Sequence, residues 1–303
     1  MKLSVSQFMN ARDFIYANAR LLDRRRFEFH FANGGPEPVL DALRAYQNAD
    51  GGFGSALEPD MRVPDSQPIA TEFALLIMDE IGKADPSMLQ GIMRYFKQEQ
   101  RVSGGLPRAT VRVNAYPHAP WWNTDDDSLG SLNPTGRMLG LLYKLRALTG
   151  HEDEEWLKRS LNFVWGQIPR ANPVDYHDVI QCIAFLEHTP DRERAEAVMK
   201  TVDHWLQQPG TIELDPKAKG YVHKVLDWAK APESYAKKWI SEADVERHLD
   251  DLIQNQQEDG GWTVSFPAIS QGNASEWRGL ITVDRLFTLK AYGRLEEMFS
   301  SHM

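Results

Sequence analysis

Gln47-Asn48-Ala49-Asp50-Gly51-Gly52-Phe53 decides how this chain is read, because it returns as Gln256-Gln257-Glu258-Asp259-Gly260-Gly261-Trp262. A weaker copy, Gln100-Arg101-Val102-Ser103-Gly104-Gly105-Leu106, lies between them. The later copies start 53 and 209 residues after the first, near one and four multiples of a period of about 52. Trp165-Gly166-Gln167 and Trp205-Leu206-Gln207-Gln208-Pro209-Gly210 read as worn copies at the missing multiples, which makes five units.

Working outward, each unit reads helix, glycine turn, helix. Val39, Leu40, Leu43 and Tyr46 recur at helical spacing before the first turn. Ala70, Phe73, Ala74, Ile77 and Ile81 do so after it, and Gly82 closes that helix. Met138, Leu141, Leu142, Leu145 and Leu148 predict a helix ending at Gly150. Val179, Ile180, Ile183, Phe185 and Leu186 predict another, and Leu280 through Leu289 to Gly293 the last. No run alternates with period two, so no significant sheet is expected. In the turn itself, paired glycines permit positive φ and a chain reversal. The Asp can accept from freed backbone amides, the next residue packs beneath, and the Gln can reach a neighbouring helix terminus. That is a staple between units.

These residues, Q-x-x-D-G-G-[FW] followed by a helix with Thr, Ala and Leu, resemble the repeats of squalene and hopene cyclases and of protein prenyltransferase β subunits. The resemblance runs over Gln47–Gly82 and Gln256–Gly293 and organises the chain from about residue 37 onward. It implies an all-α fold, an α/α toroid of about five to six helical hairpins in a single domain. Residues 1–36 would be an N-terminal helical element packed on the ring, and 37–303 the toroid. It also implies a central cavity, with inner-helix ends and loops at one mouth, and a terpenoid-cyclase-like or prenyltransferase-like activity on a hydrophobic isoprenoid. Two departures stand out. The prenyltransferase zinc site needs an Asp-x-Cys pair, and Ile180 stands two residues before Cys182, so no zinc is expected. The Asp-x-Asp-Asp acid motif of the cyclases has Asn123 at its first position, ahead of Asp125 and Asp126. Magnesium would be needed only by a diphosphate substrate.

Composition narrows the partners. The chain has 303 residues, 42% hydrophobic and 25% charged, which is ordinary for a globular protein. A net charge of -9 argues against nucleic acid, which wants a basic face. A single cysteine leaves no internal disulfide. Gln7, Asn10, Arg12 and Asp13 interrupt the N-terminal stretch where a signal peptide would need an apolar core, and no stretch is apolar enough to span a bilayer. A cytoplasmic protein with a small-molecule substrate, hydrophobic or glycan, is expected.

Two acidic loops carry the candidate chemistry. In Tyr116-Pro117-His118-Ala119-Pro120-Trp121-Trp122-Asn123-Thr124-Asp125-Asp126-Asp127, consecutive carboxylates repel, and neighbouring tryptophans desolvate them. Both effects raise a carboxyl pKa and favour a general acid at Asp125, Asp126 or Asp127. The plain alternative is a solvated loop whose aspartates cap the helix near Pro134. The second loop, Leu57 to Pro68, offers Glu58 and Asp60 as further acids or bases, with Arg62, Asp65 and Gln67 as substrate contacts. Its own Arg–carboxylate pairing would explain the same composition. Tyr116, His118, Trp121, Trp122 and Trp277 complete the substrate-binding candidates. If the two loops face each other, paired carboxylates across an aromatic cleft also suit glycoside chemistry. Three functions therefore stand side by side: isoprenoid chemistry, a carbohydrate-active enzyme, and a non-catalytic toroid that binds a ligand or a protein.

Overall fold

The computed structural model describes residues 1–297. Twelve α-helices carry those residues: α1 (Val5–Asn18), α2 (Leu21–Phe31), α3 (Glu37–Arg44), α4 (Pro68–Glu80), α5 (Pro86–Glu99), α6 (Leu132–Lys144), α7 (Glu155–Gln167), α8 (Tyr176–His188), α9 (Arg192–Leu206), α10 (Val225–Trp228), α11 (Glu242–Gln254) and α12 (Gln271–Ala291). Among the described residues no strand forms, only isolated bridges such as Met61 with His118, so the fold is all-α as expected. Among the described residues no helix is long and apolar enough to cross a membrane.

The helices begin where short polar side chains can take up orphan amides. Ser4 accepts from Gln7 N at 3.2 Å while Gln7 Oε1 accepts from Ser4 N at 3.0 Å, a capping box on α1. Asp85 caps α5 through Met88 N, Asp175 caps α8 through His177 N, and Ser241 caps α11 through Asp244 N. Pro68 and Pro86 occupy first-turn positions where no amide bond is lost.

Two compact units result, Met1–Val39 with Leu206–Met303, and Leu40–Trp205. The first break falls inside α3.

The glycine turn does the same thing three times. Gln47 Nε2 donates to Gly51 O at 3.0 Å and to Met88 O in α5 at 3.2 Å. Gln100 Nε2 donates to Gly104 O at 3.1 Å and to Trp156 O in α7 at 2.8 Å. Gln256 Nε2 donates to Gly260 O at 2.8 Å and to Gln7 O in α1 at 2.9 Å. Gly51, Gly104 and Gly260 have φ of +95°, +97° and +90°. A Cβ there would stand 2.1, 2.4 and 2.2 Å from the carbonyl oxygens of Gly91, Arg159 and Asn10 on the same three helices. Glycine is therefore required twice over, for conformation and for close approach. The next backbone amides also repeat: Phe53, Leu106 and Trp262 donate to the hydroxyls of Thr71, Thr135 and Thr282 at 3.0, 2.9 and 3.1 Å. Asp50 and Asp259 accept from Gly52 N and Gly261 N, the expected turn bonds. By this pattern α1 stands to the turn after α11 as α5 stands to the turn after α3.

Two readings need correction. The helix expected to reach Gly150 stops at Lys144, because Leu145 caps it and Arg146 takes a positive φ of 57°. Leu148 is nevertheless buried, so the apolar spacing continued through a turn. The worn copy at Trp165-Gly166-Gln167 is not a turn, since Gly166 lies inside α7. The copy ending at Gly210 does make a turn, with φ of +88°.

Candidate functional site

Within the unit Leu40–Trp205, the two acidic loops lie side by side. Met61 and His118 form an antiparallel bridge, Arg62 N donates to Pro117 O at 3.0 Å, and Ala119 N donates to Asp60 O at 2.9 Å. The loops thus meet through backbone. Gln67 anchors one of them: it is fully buried, its Nε2 donates to Thr110 Oγ1 at 2.8 Å, and its Oε1 accepts from Thr110 N at 2.9 Å. Glu58 and Asp60 are buried, Arg62 is half-buried and Asp65 is exposed.

The other loop encloses an open cavity of about 290 Å³. Trp121, Trp122, Asn123, Thr124, Asp125 and Asp126 line one side of it, with Arg108 and Ser131 completing the polar wall. Local bonds hold this shape. Asn114 Nδ2 donates to Thr124 O at 2.7 Å and its Oδ1 accepts from Thr124 N at 3.1 Å, while His118 bridges Tyr116 O and Asn123 Oδ1 at 2.6 Å each. Tyr116 itself is exposed. Trp121 keeps 39% of its surface open, whereas Trp122 is buried and carries the Arg108 guanidinium 4.7 Å above its ring.

The three aspartates have separate roles. Asp126 Oδ1 accepts from Ser128 N at 2.8 Å and its Oδ2 from Ser128 Oγ at 3.0 Å. These bonds favour the charged form and hold the Asp126 carboxyl below its ordinary value. The expected rise from like-charge repulsion is thus reversed at Asp126, because it is exposed and hydrogen-bonded instead of desolvated. Asp127 turns away: its Oδ2 accepts from Val111 N at 3.0 Å and pairs with Arg101 at 3.3 Å, while Arg101 Nε also donates to the Asp127 carbonyl. It lines a neighbouring open cavity of about 570 Å³ with Arg101 and Arg112. Asp125 is exposed and forms no hydrogen bond or ion pair with a described residue.

A buried polar network in the same unit was not singled out in the sequence. Glu72 of α4 is fully buried and receives Arg137 of α6 bidentately, Nε to Oε1 at 2.9 Å and Nη2 to Oε2 at 2.8 Å. Gln181 of α8 donates to Glu72 Oε1 at 2.7 Å and to Asn133 Oδ1 at 3.2 Å, and accepts from Arg137 N at 2.6 Å. Close packing of α6 on α8 makes this possible, because a Cβ on Gly140 would stand 2.2 Å from Ala184 O. Burial alone would lower the Arg137 pKa, and Glu72 more than reverses it. His177, at the start of α8, is pushed down by burial and by Arg108 and Arg137 against the pull of Asp175 and Glu72. Its imidazole is therefore neutral at pH 7. A signal for this network existed, since Glu72 and Gln181 are polar residues set in apolar helical runs.

Trp277 belongs to the other unit. Its ring meets Phe266 edge-on at 5.3 Å, and Phe266 meets Tyr221 at 6.4 Å. Among the described residues no group of three or more His, Cys, Asp or Glu is arranged to hold a metal ion.

No family model matches the chain, and no curated protein matches it. Among solved structures, the crystal structure of a protein from Actinoplanes is similar in fold, with a TM-score of 0.56. The two are 13% identical, over 95% of this chain and 99% of the other. A likeness at that identity concerns the fold alone.

Proposed function

We propose that the chain is an α/α toroid of helical hairpins that binds a carbohydrate in the cavity walled by Arg108, Trp121 and Asp125. The toroid is supported by the turn that repeats three times and by α1, which takes up the staple of the turn after α11. The observation that carries the sugar reading is the character of the cavity. Trp121 lines it with 39% of its surface open, beside two carboxylates, an amide, two hydroxyls and a guanidinium. Sugars need this mixture, because their C–H faces stack on aromatics while their hydroxyls both donate and accept. At about 290 Å³ the site lies at the small end of ligand cavities, suited to one or two rings.

An isoprenoid would want a dry, deep cavity with few acids, and the exposed Asp125 and Asp126 favour a sugar over it. Asp126 is poorly suited to be a general acid, since Ser128 holds it ionised. Binding is accordingly the function proposed, with Asp125 the acid of the trio open to a ligand. Thermal unfolding of the full chain against neutral oligosaccharides, and against prenyl diphosphates with and without Mg²⁺, tests this directly. A ligand that binds the native state raises the midpoint, by about 2.7 kcal/mol of stability at a hundred-fold excess over Kd. A rise with oligosaccharides that Trp121→Ala removes supports the reading. A rise with prenyl diphosphates alone returns the chain to the isoprenoid chemistry its turns resemble.

A further inference from the structure

The cavity at Trp121 adjoins the larger one, of about 570 Å³, in the same unit. Residues 107–109 line the first and residues 110–112 the second, so one stretch of backbone runs from one to the other. The acid loop divides in the same way, with Asp125 and Asp126 on the first side and Asp127 and Ser128 on the second. Two hydrogen bonds tie the sides together. Val111 N donates to Asp127 Oδ2 at 3.0 Å, and Ser128 Oγ donates to Asp126 Oδ2 at 3.0 Å. A ridge of these residues parts the two cavities, and its crest is open to solvent, since Val111 keeps 44% of its surface exposed and Ser128 is exposed too.

The second lining has the same mixed character as the first. Val102 and Val111 offer apolar surface to the C–H face of a ring. Arg101 is spent on Glu99 and Asp127, whereas Arg112 is exposed and makes no hydrogen bond or ion pair with a described residue. Its guanidinium donors are therefore available to hydroxyl oxygens. Charge decides against an acidic ligand. In the second cavity Glu99 and Asp127 balance the two arginines, and in the first Asp125 and Asp126 outnumber Arg108. The first cavity takes one or two rings, so a longer chain must leave it, and across the ridge it meets a surface of matching chemistry.

We propose that the second cavity is a further subsite of the first, and that the occupant is a linear, neutral oligosaccharide lying across the ridge of Val111 and Asp127. The proposal rests on the sugar reading and extends it from a single sugar to a chain of roughly three or more rings. One end of the chain lies against Trp121 and Asp125, and the other against Val102, Val111 and Arg112.

Isothermal titration of the full chain at pH 7 with cello-, malto- and chito-oligosaccharides, each from about one ring to about six, tests this through the dependence of affinity on length. In one of the series, affinity should rise at least about ten-fold between two rings and five, the effect of one or two further contacts, and then level off. The double variant Val102→Ser with Arg112→Ala changes exposed side chains only and should bring the affinity for five rings down toward that for two. Trp121→Ala should weaken every length. Equal affinity for two rings and five in the native chain overturns the second subsite and leaves the sugar reading standing. A gain with length that survives undiminished in the double variant overturns the assignment to the second cavity. No affinity at any length in any series overturns both the subsite and the sugar reading.

Discussion

Gly260→Ala isolates the energy of the repeated staple, and Gly210→Ala is its control. Both glycines have nearly the same positive φ, +90° and +88°, so an alanine pays the same conformational cost of about 1 kcal/mol at each. Their surroundings differ. A Cβ on Gly210 meets nothing within 4 Å, whereas one on Gly260 would lie 2.2 Å from Asn10 O of α1, against 3.4–4 Å for an ordinary contact. The turn and α1 must separate by roughly 1 Å, an overpacking cost of about 1–3 kcal/mol. The same movement stretches the Gln256 to Gln7 bond of 2.9 Å beyond useful length, worth about 1 kcal/mol more. Gly260→Ala should therefore lose about 2–4 kcal/mol beyond Gly210→Ala. At roughly 2–4 °C per kcal/mol for a chain of this size, that is a gap of about 5–15 °C in thermal midpoint followed by circular dichroism. Midpoints within about 2 °C of each other would show that the turn does not clamp α1, and the staple argument would fail.

The ion pairs of half-buried Asp284 predict a pH signature. Burial alone would raise the Asp284 pKa, but Lys230 and Arg26 hold it at about 2 against an ordinary 3.8, so its contribution is present above pH 4 and is lost as pH falls toward 2. In urea unfolding, the stability gap between the native chain and Asp284→Asn should narrow by about 1.5 kcal/mol from pH 5 to pH 2.5. A gap that stays constant would contradict the pairing. Thr135→Val leaves the Leu106 amide without its acceptor and should cost about 1–3 kcal/mol in the same assay, with no loss if water replaces the hydroxyl. Cys182 is buried on α8, and burial, helped by Asp178, pushes its thiol up to about 12. It should therefore stay unmodified by a disulfide reagent at pH 8 until denaturant is added, and rapid labelling of the native chain would refute its burial. Trp121→Ala, at a residue 39% open, should shift the thermal midpoint by less than about 2 °C while weakening oligosaccharide binding about ten-fold or more.

The repeat was legible because its parts are local. Gln, Asp and two glycines within seven residues announce a turn, and the staple bonds follow from those residue types. Helix ends were legible where a glycine marked them, as at Gly82 and Gly293. They were not where apolar spacing ran on through a turn, as at Leu148. The ionisation of the acid loop was not legible. Repulsion between Asp125, Asp126 and Asp127 is a sequence-level expectation, whereas the Ser128 bonds that dominate at Asp126 depend on how the loop folds. The Glu72–Arg137–Gln181 network joins residues 65 and 109 positions apart, a pairing that no local pattern carries.

The placement of α1 has a consequence for how the chain is made. During synthesis Leu40–Trp205 emerges as one uninterrupted segment, containing both of its own staples and the partners they grip. Residues before it must wait, because Gln7 and Asn10 meet Gln256 and Gly260 only when the last quarter of the chain has left the ribosome. Vectorial folding thus has a built-in order, with the middle settling first and the leading helices held open until the trailing ones arrive. Closing so long a loop is entropically slow, so the last step of folding joins helices that stand about 250 residues apart.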